Sequence, residues 1–325
     1  MKRFKNILCV VPKGDAGKLA LQRAVSLAEC NQADLTVVSV MAPLSIGMGM
    51  PNGGPISAEL QTVVLKTCEE ELNTLVSPQQ GRVKIRTGIL IGVQFLEIIR
   101  DVIRNGRDLV IKAPETQDWL DRLVGSEDMH LLRKCPCPVW LVKPTAQKSF
   151  RRILVAVDIN DAFPQKELEI RRLLNQQIIE MASSIALSDF AELHLTHVWQ
   201  PMDENAIHDV LSYFTSTEAD AYIANLKHYR EAGLLKLMEA MVSSLETDVL
   251  NYLKPESHLL RGNARSEIPT LATKLEADLI VMGTVARTGI PGFITGNTAE
   301  SILGQINCSV LAIKPQGFVT PVTLT

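Results

Sequence analysis

The sequence lacks a hydrophobic segment long enough to cross a membrane. No apolar run approaches the roughly 20 residues that a membrane-spanning helix needs, and the N-terminus enters a predicted strand almost at once, so no signal peptide is recognised. A strong charge of one sign is also missing, because the formal net charge is -3 over 325 residues. These absences predict no membrane insertion and no nucleic-acid binding, and we expect a cytoplasmic protein.

Cysteine is scarce, with six residues in the chain, which does not make a disulfide framework. Cys135 and Cys137 are close in sequence, but two thiolates without a second pair or a nearby histidine make a poor zinc site. His194 and His197 lie three residues apart on a predicted strand and therefore face opposite sides of the sheet. We predict no metal site from these residues.

Four apolar segments occur twice in the same order, which predicts two copies of one domain. The matching segments are 4–11 with 150–157, 34–40 with 192–198, 108–111 with 278–281, and 137–144 with 308–315. Short runs rich in Val, Ile and Leu alternate with longer amphipathic stretches, which is typical of a parallel sheet covered by helices. We place the domains at 1–147 and 148–316, each near the usual size of a domain, with a C-terminal tail at 317–325.

The two copies are predicted to differ most between their second and third strands. The first has a loop rich in Gly, Pro and Met at 41–55, and the second has a helix over about 219–250. The third strands are predicted to end at Gly88 and Gly262.

A glycine-containing loop follows the fourth strand of the second copy. The predicted strand ends at Gly283 and is followed by a segment rich in small residues. Gly296, Asn297 and Thr298 then precede a short predicted helix. Backbone N–H groups that converge in such a loop, together with a helix N-terminus, can hold a phosphate. Open parallel sheets bind ligands at the carboxyl ends of their strands, where the strand order reverses, and this loop is predicted to lie there.

The loop resembles the ATP-binding signature of the universal stress protein family, which is Gly, two residues, Gly, nine residues, Gly and a small polar residue. Here the marked positions are Gly283, Ala286, Gly296 and Asn297, and Ala286 departs from the second glycine. Together with the repeat, this indicates a tandem member of that family. The resemblance implies an α/β fold of two tandem flavodoxin-like (Rossmann-like) domains, each a five-stranded parallel sheet covered by helices.

The resemblance also implies a stress-response protein with an ATP site in the second copy, and whether Mg²⁺ accompanies the nucleotide stays open. The nucleotide-binding positions are Val157, Asp158, Val198, Met282, Gly283, Val285, Ala286, Gly296, Asn297 and Thr298. Asp158 also suits this role by its chemistry, because a carboxylate at the end of a buried strand accepts hydrogen bonds from a ribose hydroxyl or a base amino group. The alternative for Asp158 is a solvated turn residue.

The first copy has lost these features. Pro12 stands where Asp158 does in the second copy, and Ala113 stands near the position of Gly283. Pro114 removes a backbone N–H group, and Glu115 brings negative charge where a phosphate would lie. We therefore predict one ATP per chain.

Motifs for catalysis are absent too. The chain has neither the His-x-Gly-His nor the Ser-Gly-Gly-x-Asp-Ser element of related adenylyl-transferring folds, and no Walker-type lysine. We predict binding with at most slow ATP hydrolysis, and no catalytic residue is assigned. The alternative is a scaffold that binds an apolar metabolite or lipid in the first copy, with a vestigial nucleotide site in the second.

The last strand of each copy, 139–142 and 310–313, is strongly apolar and would be an exposed sheet edge if left unpaired. In single-domain members of the resembled family this strand pairs antiparallel across a dimer axis. We therefore predict that these two strands pair within the chain, as in an intramolecular pseudo-dimer. A further homodimer stays open.

Overall fold

The computed structural model of the protein describes residues 4–12, 17–43, 55–114, 126–144, 147, 149–201, 216–243, 253, 255–284 and 297–324. Strands and helices alternate along these residues. The strands are β1 Asn6–Val10, β2 Asp34–Met41, β3 Ile85–Ile91, β4 Leu109–Lys112, β5 Val139–Leu141, β6 Arg152–Ala156, β7 Glu192–Trp199, β8 Glu256–Arg261, β9 Leu279–Gly283 and β10 Ser309–Ile313. The helices are α1 Lys18–Asn31, α2 Pro55–Val76, α3 Gln94–Asn105, α4 Glu127–Lys134, α5 Gln165–Asp189, α6 Ser216–Ser243, α7 Ala264–Lys274 and α8 Asn297–Leu303.

The first of two compact units holds the described residues of the N-terminal copy together with β10 and the C-terminal segment. Its strands follow the order β3-β2-β1-β4-β5-β10. The first five are parallel, and β4 and β5 are buried along their whole length. Strands buried on both faces are what the continuous Val, Ile and Leu runs predict.

The last strands of the two copies pair inside this first unit. β10 runs antiparallel to β5, with Val310 opposite Leu141 and Ala312 opposite Val139. The predicted strand pairing is therefore confirmed, and it gives the apolar strand β5 a hydrogen-bonded neighbour on its outer side.

The second compact unit contains β6 to β9 with the helices between them, and α8. Its strands are parallel in the order β9-β6-β7-β8. Chain order reverses at β6, since β7 lies on one side of it and β9 on the other. The carboxyl ends of β6 and β9 consequently form the switch point where open α/β sheets bind ligands.

The prediction for the end of the third strand is right in one copy and wrong in the other. β8 ends before Gly262, which has φ 144°, as expected. β3 instead continues through Gly88 to Ile91, and it is Gly92, with φ 149°, that matches Gly262. The apolar residues after Gly88 extend the strand, and only the second glycine adopts the positive φ that L-residues avoid.

The segments between the second and third strands are helical in both copies. α2 is 22 residues long and follows the predicted loop at 41–55, of which 44–54 lies outside the described residues. α6 begins at Ser216 and its described part reaches Ser243, against a prediction of about 219–250. Within the described residues, no helix is both long and apolar enough to cross a membrane.

Candidate functional site

Five of the predicted nucleotide-binding residues lie at the carboxyl ends of three neighbouring strands. Ala156, the last residue of β6, is opposite Met282 of β9 and Thr196 of β7. The next residue, Val157, donates its N–H to the Thr196 carbonyl at 3.0 Å. Val157 and Met282 are buried, whereas Val198 at the end of β7 and Gly283 at the end of β9 are half-buried. The structure thus brings the ends of these strands to one edge, as the sequence predicts.

The other predicted positions lie between Gly283 and α8 in the sequence, or in α8 itself. Val285, Ala286 and Gly296 lie outside the described residues. Asn297 begins α8, and Thr298 is exposed in its first turn. A short helix therefore begins at Asn297, as the pattern predicts.

Asp158 occupies a hydrogen-bonded turn directly after β6. Its Oδ1 accepts the Asn160 N–H at 3.0 Å, and its carboxylate forms an ion pair with Arg171 of α5. The Asn175 side chain satisfies both backbone groups of Asp158, accepting its N–H at 3.2 Å and donating to its carbonyl at 2.7 Å. Since the Asp158 side chain is 50% exposed, its carboxylate keeps access to solvent while the backbone is held in place.

Arg171 is an ordered cation beside Asp158 that sequence analysis missed. Its guanidinium also donates to Glu167 at 2.8 Å and stacks over the Phe163 ring at 3.7 Å from the ring centre. The side chain is 11% exposed, so its position is set by packing as well as by charge. The site consequently carries a cation close to the strand ends.

A second arginine holds the same turn from α6. Arg230 donates to Asp161 at 2.8 Å, and to the Ile159 carbonyl and Asn160 Oδ1 at 3.3 Å each. The Tyr229 hydroxyl donates to Asp161 at 2.5 Å, and this bond, with help from Arg230, lowers the pKa of the Asp161 carboxyl. The turn after β6 is thus fixed from both α5 and α6.

His197, a buried residue of β7, helps to hold the end of β6 in place. His197 Nδ1 lies 3.2 Å from the Val157 carbonyl, which defines Nδ1 as the protonated nitrogen of a neutral ring. Burial lowers the pKa of His197, so the neutral form is favoured. This bond ties the end of β6 to β7.

Gly283 has a packing role in addition to any role toward a ligand. A Cβ atom at this position would lie 2.9 Å from Leu174 Cδ2 and 3.6 Å from Ile178 Cδ1, both on α5. A residue with a side chain at this position would displace the end of the Leu174 side chain, so glycine allows α5 to pack closely against the end of β9.

The corresponding edge of the N-terminal copy carries a buried ion pair. Lys112 ends β4 at the position equivalent to Met282, and its Nζ lies 2.6 Å from Asp128 Oδ1 in the first turn of α4. The two side chains are 2% and 11% exposed. Ser126 caps α4 by accepting the Met129 N–H at 3.1 Å. Lys112, Asp128 and Ser126 are thus already paired with other groups of the protein.

Comparison with known proteins agrees with this architecture. Residues 3–143 and 149–314 each match the model of the universal stress protein family. The chain belongs to the universal stress protein family. It is a tandem member, as the sequence predicts, because one family domain matches each copy.

Relatives within the family match this chain over nearly their whole length. The chain is 28% identical over 332 residues to universal stress protein E of Escherichia coli K12, covering 100% of this chain and 98% of that protein. It is 28% identical over 329 residues to the universal stress protein E homolog of Haemophilus influenzae, covering 96% and 98%. These matches confirm the recognised family and show that the chain is similar to universal stress protein E over its whole length.

Solved structures confirm the fold class. A functionally unknown protein of Pseudomonas aeruginosa PAO1 is 26% identical and superposes with a TM-score of 0.65 over 96% of this chain and 93% of its own. A universal stress protein of Archaeoglobus fulgidus is 16% identical, with a TM-score of 0.61 over 95% and 96% of the two chains. Two tandem α/β domains with mostly parallel strands flanked by helices are therefore established.

The N-terminal universal stress domain contains a cavity of about 800 Å³ between α1 and α2. Its apolar lining includes Val11 and Pro12, just after β1, Leu21 of α1, and Leu72 and Leu75 of α2. Its polar lining includes Lys18, Gln22, Ser39, Thr67, Glu70 and Glu71. The size falls within the range of roughly 300–1,000 Å³ that small-molecule sites occupy.

Proposed function

We propose that the C-terminal copy binds ATP and that the protein acts in the stress response through this binding rather than through efficient catalysis. The observation that carries the proposal is the position of Asp158, Val198 and Gly283. All three lie at or just after the carboxyl ends of neighbouring strands, at the edge where the strand order reverses. Family membership supports the nucleotide as the ligand. The proposal assigns no catalytic residue and allows at most slow hydrolysis.

Each part of the nucleotide has a proposed partner. The Asp158 carboxylate accepts a hydrogen bond from a ribose hydroxyl or a base amino group. The same carboxylate also forms the ion pair with Arg171. Backbone N–H groups after Gly283, and the N-terminus of α8 at Asn297 and Thr298, receive the phosphates. Whether Mg²⁺ accompanies the triphosphate stays open, and no protein ligand is assigned to it.

The departure from the family signature at Ala286 provides the first prediction. A glycine there serves either a positive φ or a close approach of phosphate, and alanine resists both at a cost of about 1 kcal/mol. We expect Ala286→Gly to raise the affinity for ATP roughly five-fold to ten-fold, measured by isothermal titration calorimetry.

Ala113→Gly is the matched control, because it restores a glycine in the degenerate copy and should leave ATP affinity unchanged. An absence of ATP binding both before and after the Ala286 reversion would make the C-terminal site vestigial. Gly283→Val is a weaker test, since its Cβ would collide with Leu174 and disturb α5 whether or not a ligand binds there.

A second candidate function is the binding of an apolar metabolite or lipid by the N-terminal copy. The cavity between α1 and α2 favours it, because Val11, Leu21, Leu72 and Leu75 provide an apolar lining. Extraction of the purified protein with organic solvent, followed by mass spectrometry, is expected to release an apolar molecule. Leu75→Trp should reduce its amount by filling the cavity, and Val63→Trp, on the exposed face of α2, should not. Equal amounts from both variants would contradict this function.

The domain limits at 1–147, 148–316 and 317–325 stay predictions, as do the cytoplasmic location, the intramolecular pseudo-dimer and any further homodimer. The pairing of β5 with β10 supports the pseudo-dimer, because it joins the last strands of the two copies.

A further inference from the structure

Three metal-ligating side chains converge on β7 and β8, near the amino ends of these strands. His194 of β7 lies opposite Glu256, the first residue of β8, and His258 follows two residues later on the same face. We name His194, Glu256 and His258 the β7–β8 cluster. It lies toward the opposite end of the strands from Asp158 and Gly283, and it belongs to no site described above.

The distances between the three side chains suit the binding of one metal ion. His194 Nδ1 lies 3.1 Å from His258 Nε2 and 3.5 Å from Glu256 Oε2, and His258 Nε2 lies 4.0 Å from the same oxygen. A tetrahedral ion with bonds of 2.0–2.1 Å separates neighbouring ligand atoms by about 3.3 Å. The two distances from His194 are within about 0.2 Å of this separation, and the distance between His258 and Glu256 would have to shorten by about 0.7 Å for all three atoms to surround one ion.

The surroundings of His194 favour the tautomer that a metal requires. His194 is 4% exposed, and its Nε2 is buried without a hydrogen-bond partner among the described residues. When Nδ1 binds a metal, the ring proton resides on Nε2, which faces Glu192 Oε2 at 3.8 Å. A carboxylate behind a ligating histidine is the usual outer contact of zinc sites. The Glu192 carboxylate also lies 3.9 Å from Arg152 Nε, so it interacts with both His194 and Arg152.

The β7–β8 cluster is partly open to solvent. The Glu256 side chain is 65% exposed, and that of His258 is 21% exposed. An ion could therefore enter from solvent and retain water at its fourth position.

We propose that the β7–β8 cluster binds one divalent transition-metal ion of the zinc class. Two imidazoles and one carboxylate suit zinc and its neighbours in the first row, whereas Mg²⁺ and Ca²⁺ prefer oxygen ligands alone. Along the sequence, the histidine nearest to His194 is His197, on the opposite face of the strand. The actual neighbour, His258, lies on the adjacent strand and is far away along the chain.

The test is a titration of the full-length, tag-free, chelator-treated protein with Zn²⁺, followed by calorimetry. We expect one Zn²⁺ per chain, and the visible absorption of tetrahedral Co²⁺ when cobalt replaces zinc. His258→Ala should weaken Zn²⁺ binding by about 100-fold or more, and Glu256→Gln by about 10-fold. His228→Ala is the matched control, because His228 is an exposed histidine of α6 outside the cluster, and it should bind Zn²⁺ as the wild type does.

Two results would overturn the proposal: a wild-type protein that gives neither heat with Zn²⁺ nor a cobalt spectrum, or a Zn²⁺ affinity that survives the His258 and Glu256 substitutions. Circular dichroism verifies that each variant is folded. Glu256→Gln decides the outcome if His258→Ala does not fold, because the exposed Glu256 carboxylate contributes little to packing.

Discussion

Lys112→Met is expected to lower the free energy of unfolding by about 3–5 kcal/mol. The substitution removes the cation of a buried pair whose Nζ and Oδ1 atoms are 2.6 Å apart, and it leaves the Asp128 carboxylate in a site where it is only 11% exposed. Methionine is what the C-terminal copy carries at the equivalent position, so its shape suits the end of the strand. The lost stability is therefore attributable to the unpaired charge, and urea denaturation at neutral pH measures it.

The double variant Lys112→Met with Asp128→Leu is the control. A buried ion pair replaced by apolar residues of similar volume is often neutral or stabilising. Loss of an acidic residue from the first turn of α4 removes about 0.3–1 kcal/mol of helix-dipole stabilisation. The double variant should thus recover most of the stability, and a single variant within about 1 kcal/mol of the wild type would show that the pair contributes little.

Stability is expected to rise with pH above neutrality because of a second buried lysine, Lys314. It follows β10 and is 4% exposed, and its Nζ donates to the Leu132 carbonyl at 2.5 Å and to the Thr284 hydroxyl. Burial lowers the pKa of Lys314 from 10.5 to about 7, and Cys135 acts weakly in the opposite direction.

The direction of the pH effect follows from proton linkage. Between about pH 7 and 10.5 the unfolded chain holds a proton on Lys314 that the folded chain does not, so stability increases with pH in this window. Below pH 7 both states are protonated, and the full cost of the buried charge applies. At about 1.4 kcal/mol per pH unit, a change from pH 7.5 to 9.5 should add roughly 2–3 kcal/mol.

Lys314→Met should lose this contribution, because methionine does not titrate. The measurement is the free energy of unfolding of both proteins at pH 7.5 and 9.5, where the difference between them should move by about 2–3 kcal/mol in favour of the wild type. Lys143→Met, at the equivalent position after β5, controls for the general effect of removing a lysine. Parallel pH curves for the wild type and Lys314→Met would contradict a lowered pKa.

Sequence patterns were sufficient for the strands and for the tandem organisation. Buried parallel strands leave continuous runs of Val, Ile and Leu, and such runs are local in sequence. The pairing of β5 with β10 was also predictable, because an apolar strand at a sheet edge needs a partner and the family resemblance implies that the last strands pair with each other. The end of β3 was not predictable from the sequence. Gly88 and Gly92 are both candidates for the end of the strand, and only the backbone angle shows that Gly92 is the one that ends it.

The side-chain pairs around the sites were beyond sequence reasoning. Asp158 was recognised by its place at a strand end, but its partner Arg171 lies on a helix at no diagnostic spacing. The same holds for Lys112 with Asp128, and for His194 with His258 on the adjacent strand. Such contacts depend on how helices and strands pack together, which hydrophobic periodicity does not encode.

Photoaffinity labelling with 8-azido-ATP, followed by peptide mapping, tests most directly the claim that the C-terminal copy alone binds the nucleotide. Our account predicts that labelled peptides come from residues 148–316, that unlabelled ATP suppresses the labelling, and that one ATP binds per chain. Labelling of peptides from residues 1–147, or no labelling that ATP can suppress, would contradict it.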